Sequence, residues 1–209
     1  MKKLLLVLVV LVAAFLVYKY AFKKDEPAKD EPKPLAVSAH SAAFNASVEA
    51  VLKSYYAMND GFVNWDSAVV NQQAAALVDA ANKLDLEDLK KDSMIYETAL
   101  YPVENIKGNA DAIAAEADWT AKRQALRDLS DNLRNFLITV KYDAAVVYWQ
   151  ECPMAFGENS PGSWLSSQEA IVNPYLGKKD PKYGESMLSC GETKQKIDFA
   201  AADETSGQP

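Results

Sequence analysis

Residues 119–143, "WTAKRQALRDLSDNLRNFLITVKYD", are the stretch whose spacing decides the fold. Leu126, Leu129, Leu133, Phe136, Leu137 and Val140 recur at intervals of three and four, the period that gathers side chains on one face of an α-helix. "AKRQALRD" is read as its solvated side. A helix with one apolar stripe needs partners, and three stretches before it repeat the pattern. Phe44, Val48, Leu52, Tyr55, Met58 and Phe62 form the first, with Ser41 placed to cap it. Val70, Ala74, Leu77, Ala81 and Leu84 form the second, opened by Asp66. Ile95, Ala99, Val103, Ile106, Ala110 and Ile113 form the third, over about Ser93 to Glu116, where Pro102 is expected to kink or split the helix. Short connections make successive helices antiparallel neighbours. The expected fold class is therefore all-α, an up-and-down four-helix bundle.

After Asp143 the pattern changes. "AVVYWQECP" is β-branched and aromatic, the following residues are rich in Gly, Pro, Asn and Ser, and "TKQKIDF" reads as a last extended segment. This predicts an irregular C-terminal cap with short extended segments. Trp149 and Trp164 are expected to pack that cap onto the bundle; shielding a bound metal is their alternative role.

At the other end, "MKKLLLVLVVLVAAFLVYKYAFKK" has a basic start, a continuous apolar run from Leu4 to Val17 and an aromatic exit. No small-x-small cleavage site follows the run, so a retained signal-anchor is expected over residues 1–22, long enough to cross a bilayer of roughly 30 Å. Secretion into the periplasm after cleavage is the alternative. Residues 23–34, "KKDEPAKDEPKP", alternate charge with proline and read as an extended spacer. The bundle domain and its cap then occupy residues 35–199, and residues 200–209 read as a disordered tail.

Composition removes several functions. With 209 residues and 49% hydrophobic content the chain suits one ordinary domain with appendages, and its net charge of -7 argues against a nucleic-acid partner. A single histidine and two cysteines exclude zinc-finger and iron–sulfur spacing. There is no Glu-x-x-His pair, no Cys-x-x-Cys and no glycine-rich phosphate loop, while Asp60, Asp66, Asp85, Glu87 and Asp88 fall at helix ends and wet faces. No catalytic residues and no small-molecule substrate are identified; the chain is not expected to be an enzyme.

Sulfur is concentrated in the cap. Cys152 and Met154 form a Cys-x-Met triplet, and Met187 and Cys190 a Met-x-x-Cys quartet. Thiolate and thioether together are a soft ligand set that selects Cu(I) or Ag(I). His40, just before the first helix, could add a nitrogen ligand, although a capping or surface role is the commoner one for a lone histidine there. The other reading is a Cys152–Cys190 disulfide, the usual fate of two cysteines in an oxidising compartment. Methionines nearby would then be gap-fillers.

The segments "PLAVSAHSAAFNASV", "LSDNLRNFL", "VYWQECPMAFG", "WLSSQEAIVNPYLGKKD" and "MLSCGETKQKI", in this order, resemble the domain of unknown function 3347, over about Leu35 to Phe199. That family occurs in envelope proteins of Gram-negative bacteria and as a C-terminal extension of membrane-fusion subunits in copper/silver efflux. The resemblance implies metal handling by context, with metal-efflux components as partners and an inner-membrane-anchored, periplasm-facing domain. The sequence-level expectation is thus a membrane-anchored domain binding Cu(I) or Ag(I) through Cys152, Met154, Met187 and Cys190, with His40 as a further contributor. Its alternative is a non-catalytic envelope structural or interaction domain with a Cys152–Cys190 disulfide.

Overall fold

The computed structural model describes residues 38–200. The expected anchor at 1–22, the spacer at 23–34 and, apart from Ala200, the tail expected at 200–209 lie outside the described residues. Among the described residues no helix is long and apolar enough to cross a membrane.

Four α-helices carry most of the chain. Helix α1 spans Ala42–Asn64 and begins where the Ser41 hydroxyl accepts the Phe44 N–H; it ends at Trp65, whose left-handed backbone turns the chain. Helix α2, Ser67–Asn82, is capped by Asp66, which accepts from Ala68 and Val69. A 3-10 turn over Leu86–Lys91 buries Leu89 and leads to α3, Ser93–Ala115, capped by Asp92. Asp118 caps α4, Trp119–Val140, which also stops at a left-handed residue, Lys141. Each capping oxygen satisfies N–H groups that a helix start leaves without intrahelical partners.

Pro102, expected to kink or split α3, does not split it. Ala99, Val103 and Ile106 are buried on both sides of it, so packing holds the turn together, and Thr98, whose carbonyl loses its donor, is an exposed residue. Successive helices pack against one another, and the apolar stripes expected of all four are buried in one core. The first and last helices meet through side chains, with the Tyr55 hydroxyl donating to Ser130 Oγ at 2.7 Å and Ser130 Oγ donating to the Leu126 carbonyl.

The molecule is mostly helical, but the chain is not all-α: the short extended segments expected in the cap are strands of one sheet, and turns and bends join them. Three strands, β1 (Val147–Cys152), β2 (Gly162–Ser166) and β3 (Glu192–Ile197), form an antiparallel sheet in the order β2-β1-β3. Strand β2 escapes a reading by alternation because Ser163, Trp164 and Leu165 are all buried in succession, so no period of two is visible. Trp149 and Trp164 are both largely buried in the common core, as packing residues would be.

Strand β2 is an edge strand that packs on α4, so its outward-facing backbone groups lack a neighbouring strand. Side chains replace that strand. The Leu165 N–H donates to the Tyr55 hydroxyl at 3.0 Å, Asn59 Nδ2 donates to the Leu165 carbonyl at 3.4 Å, and the Tyr175 hydroxyl donates to the Ser163 carbonyl. Burial pushes the pKa of both tyrosines up, which keeps their hydroxyls protonated as donors.

Replacing Tyr55 with Phe strands the buried Leu165 N–H and removes the Ser130 acceptor's donor. We expect a loss of about 1–3 kcal/mol in urea unfolding, with the slope unchanged and a smaller loss for Ser130→Ala.

Candidate functional site

Cys152 closes β1 and Cys190 stands two residues before β3; they form a disulfide with Cα atoms 5.5 Å apart, a normal separation for a bridge. The surrounding chain is tied to it by one buried amide. Asn173 Oδ1 accepts from the Tyr175 and Leu176 N–H groups, its Nδ2 donates to the Cys190 carbonyl at 3.0 Å, and its own N–H donates to the Leu188 carbonyl. The "NPYLG" segment, residues 173–177, is therefore a turn bracing the second half-cystine.

Two glycines make the close approaches possible. Gly177 lies at φ +61, where a Cβ would come within 2.7 Å of the Val63 carbonyl oxygen, and this lets Lys178 N–H bond that oxygen while Trp65 Nε1 bonds the Leu176 carbonyl. Gly191, at φ +140, lies where a Cβ would meet the Trp164 ring at 2.8 Å and the Glu151 carbonyl oxygen at 2.9 Å. Both positions need a residue without a side chain.

The sulfur residues are distributed around this bridge. Met187 is half-buried against the core and sits one turn before Cys190, whose N–H bonds the Met187 carbonyl at 3.0 Å. Met154 lies in a turn two residues after Cys152 and is 37% exposed. Among the described residues, no group of three or more His, Cys, Asp or Glu side chains is arranged to hold a metal ion.

His40 is placed elsewhere and already committed. Its Nε2 donates to the carbonyl of Val140, the last residue of α4, at 2.8 Å; its Nδ1 meets Asp88 Oδ2 at 3.0 Å; its ring stacks on Phe44. A carbonyl only accepts, so Nε2 is the nitrogen that must carry a hydrogen. The α4 terminus feeds β1 at Val147, and five strand steps of about 3.3 Å separate Val147 from Cys152, so His40 stands near the far end of the sheet from the sulfurs. As a fifth ligand beside the cysteines it is misplaced; it fastens the start of the domain to the end of α4.

Asp88, read from sequence as a solvated acid, is the other half of that fastening. Its partial burial opposes the charged form, but hydrogen bonds from His40 and Lys91 outweigh this and hold its carboxyl below the ordinary value of 3.8.

A third feature lies at the start of α4, the other end of that helix from His40. A cavity of about 410 Å³ is walled by Trp65, Trp119, Ala155, Phe156 and Pro181, with Thr120, Arg123, Gln124 and Asp180 as its polar members. Arg123 is only 6% exposed, its guanidinium lies 4.0 Å from the Trp65 ring centre and 5.0 Å from that of Trp119, and its Nε and Nη2 have no hydrogen-bond partner. Burial pushes its pKa down to about 10, with Asp180 and Asp118 acting the other way.

Arg123 and its neighbour Lys122 correct the reading of "AKRQALRD" as a wet face. Lys122 is 1% exposed and donates to Asn71 Oδ1 and to the Ile113 carbonyl, in the last turn of α3, at 2.6 Å each. The signal was available: Trp119, Lys122, Leu126 and Leu129 keep the spacing of the apolar stripe, which puts a basic residue in a core register.

Residues 51–143 match the family model described as "Protein of unknown function (DUF3347)", the family that the sequence resemblance indicated. The matched segment covers the helical bundle from within α1 and ends before β1, so the cap with its cysteines follows it. No curated protein and no solved structure shows significant similarity to the chain.

Two outcomes test these assignments. The Cys152→Ala/Cys190→Ala variant should lose about 4 kcal/mol of unfolding free energy, the chain-entropy value for the 38-residue separation of this bridge, read from denaturant curves without reductant. A carboxyl whose pKa is lower in the folded state stabilises fully above its ordinary value and loses that contribution as pH falls through the folded one. The stability advantage of the wild type over Asp88→Asn should therefore be present at neutral pH and shrink below about pH 4 in acid titrations of unfolding.

Proposed function

We propose that the domain is a non-catalytic interaction module of an oxidising envelope compartment, its cap locked by the Cys152–Cys190 disulfide. The observation that carries this reading is the bridge itself, with Asn173 and Gly191 fitted around its two ends. A pairing so embedded suits a structural staple, and a stable disulfide suits an extracytoplasmic location. The segment 1–22 would anchor the chain at the inner membrane, residues 23–34 would hold the domain off it on the periplasmic side, and the four helices would stand up-and-down beneath the cap. Partners would be other envelope proteins.

One specific observation supports the soft-metal reading as a state of the same cap. Reduction would leave two thiols on Cα atoms 5.5 Å apart with Met187 one turn away, a cluster able to take Cu(I) or Ag(I), which oxidation would release. In that case the partners would be metal-efflux components.

Protein isolated from its own compartment without reductant should show no titratable thiol. After reduction, competition for Cu(I) against a chromophoric chelator should be the same for the wild type and for Met154→Leu/Met187→Leu. One-to-one binding by the reduced wild type, lost in that variant, would overturn the interaction reading in favour of metal handling.

A further inference from the structure

The cavity beside Arg123 has features that neither a bundle core nor a disulfide cap requires. A guanidinium in a protein interior normally finds a carboxylate or carbonyl acceptor, because leaving a charged donor unpaired costs several kcal/mol. Arg123 has none for Nε and Nη2. The two carboxylates that influence it are committed to backbone groups: Asp118 accepts from Ala121 N–H at 2.8 Å as the α4 cap, and Asp180 Oδ1 accepts from Lys182 and Tyr183 N–H at 2.9 Å each. Stacking on Trp65 and Trp119 orients the guanidinium plane without supplying an acceptor.

The site around it is built from four separate parts of the chain. Trp65 is the left-handed terminus of α1, fixed through its indole N–H to the Leu176 carbonyl. Trp119, Thr120, Arg123 and Gln124 come from the first turns of α4, where unpaired N–H groups favour negative charge. Ala155 and Phe156 arrive from the loop after Cys152, and Asp180 and Pro181 from the loop after the "NPYLG" turn. The volume lies in the range of small-molecule sites, whose walls are mainly apolar and whose few polar groups set orientation.

We propose that this cavity binds a small organic oxyanion, a carboxylate or phosphate ester on an apolar planar body, with the anionic group paired to Arg123 and the body lying against Trp65, Trp119 and Phe156. The part of the Arg123 guanidinium that lines the cavity can donate to either oxyanion, and the indole and phenyl rings match a flat apolar body. This goes beyond the interaction reading and does not rest on it, since the bundle supplies the guanidinium and two of the three rings.

The test is calorimetric titration of the full-length chain in mild detergent with benzoate and with phenyl phosphate, beside the neutral benzyl alcohol. We expect saturable one-to-one binding of at least one of the two anions, at least tenfold tighter than benzyl alcohol; which one binds separates carboxylate from phosphate ester. Arg123→Gln should weaken that anion at least tenfold, and Asp180→Asn, which keeps the turn's acceptor while removing a nearby negative charge, should bind it at least as tightly as the wild type. Absence of saturable binding of both anions, equal affinity for benzyl alcohol, or unchanged affinity in a folded Arg123→Gln protein would each overturn the proposal. The comparison of anion with alcohol uses the wild type alone, so it decides the matter even if the arginine variant does not fold.

Discussion

A sheet edge buried against helices has to find hydrogen-bond partners that no strand provides, and that requirement organises this molecule. Water cannot reach the outer side of β2 where it lies against the bundle, so each group there must meet a side chain of the right length and polarity. Tyr55, Asn59 and Tyr175 do this from two directions, the first two from α1 and the third from the 173–177 turn of the cap. Because the Tyr55 hydroxyl also reaches Ser130 on α4, one buried oxygen joins the first helix, the last helix and the sheet. Register in the sheet and the spacing of two helices are thereby set together.

The same economy appears at the start of α4. Lys122 and Arg123 point into the structure from consecutive positions and do different things. Lys122 is satisfied, using two donors to bind an amide on α2 and a carbonyl at the end of α3, and burial lowers its pKa without leaving it unpaired. It joins three helices at one end of the bundle and meets the negative end of α3's dipole. Arg123 lies against two indole rings and has nitrogens without acceptors. Two adjacent basic residues at similar depth thus separate a structural role from one that is still open chemically.

Much of the helical part was legible because its information is local. The stripes of α1 and α4, the caps at Ser41 and Asp66 and the division near Asp143 follow from spacing and residue type. What escaped depends on partners far along the chain. Strand β2 carries no alternation because it is enclosed, so only its pairing with β1 reveals it. Long aliphatic stems let Lys122 and Arg123 lie in a core that disfavours their charges. His40 sits 48 residues from Asp88 and 100 from Val140, and no local pattern announces either partner. The sulfur motifs were visible as motifs; their approach to one another is set by the return of β3 alongside β1.

The bridge between Cys152 and Cys190 also changes what the intervening chain is free to become. It closes a ring whose two ends are already aligned by the sheet, so the outer part of that ring, around residues 182–186, is relieved of the task of bringing them together. The entropy of closing a loop grows only with the logarithm of its length, about 0.6 kcal/mol for each doubling. Such a segment is a place where the protein can gain or lose residues over evolutionary time while the bundle beneath it keeps its shape.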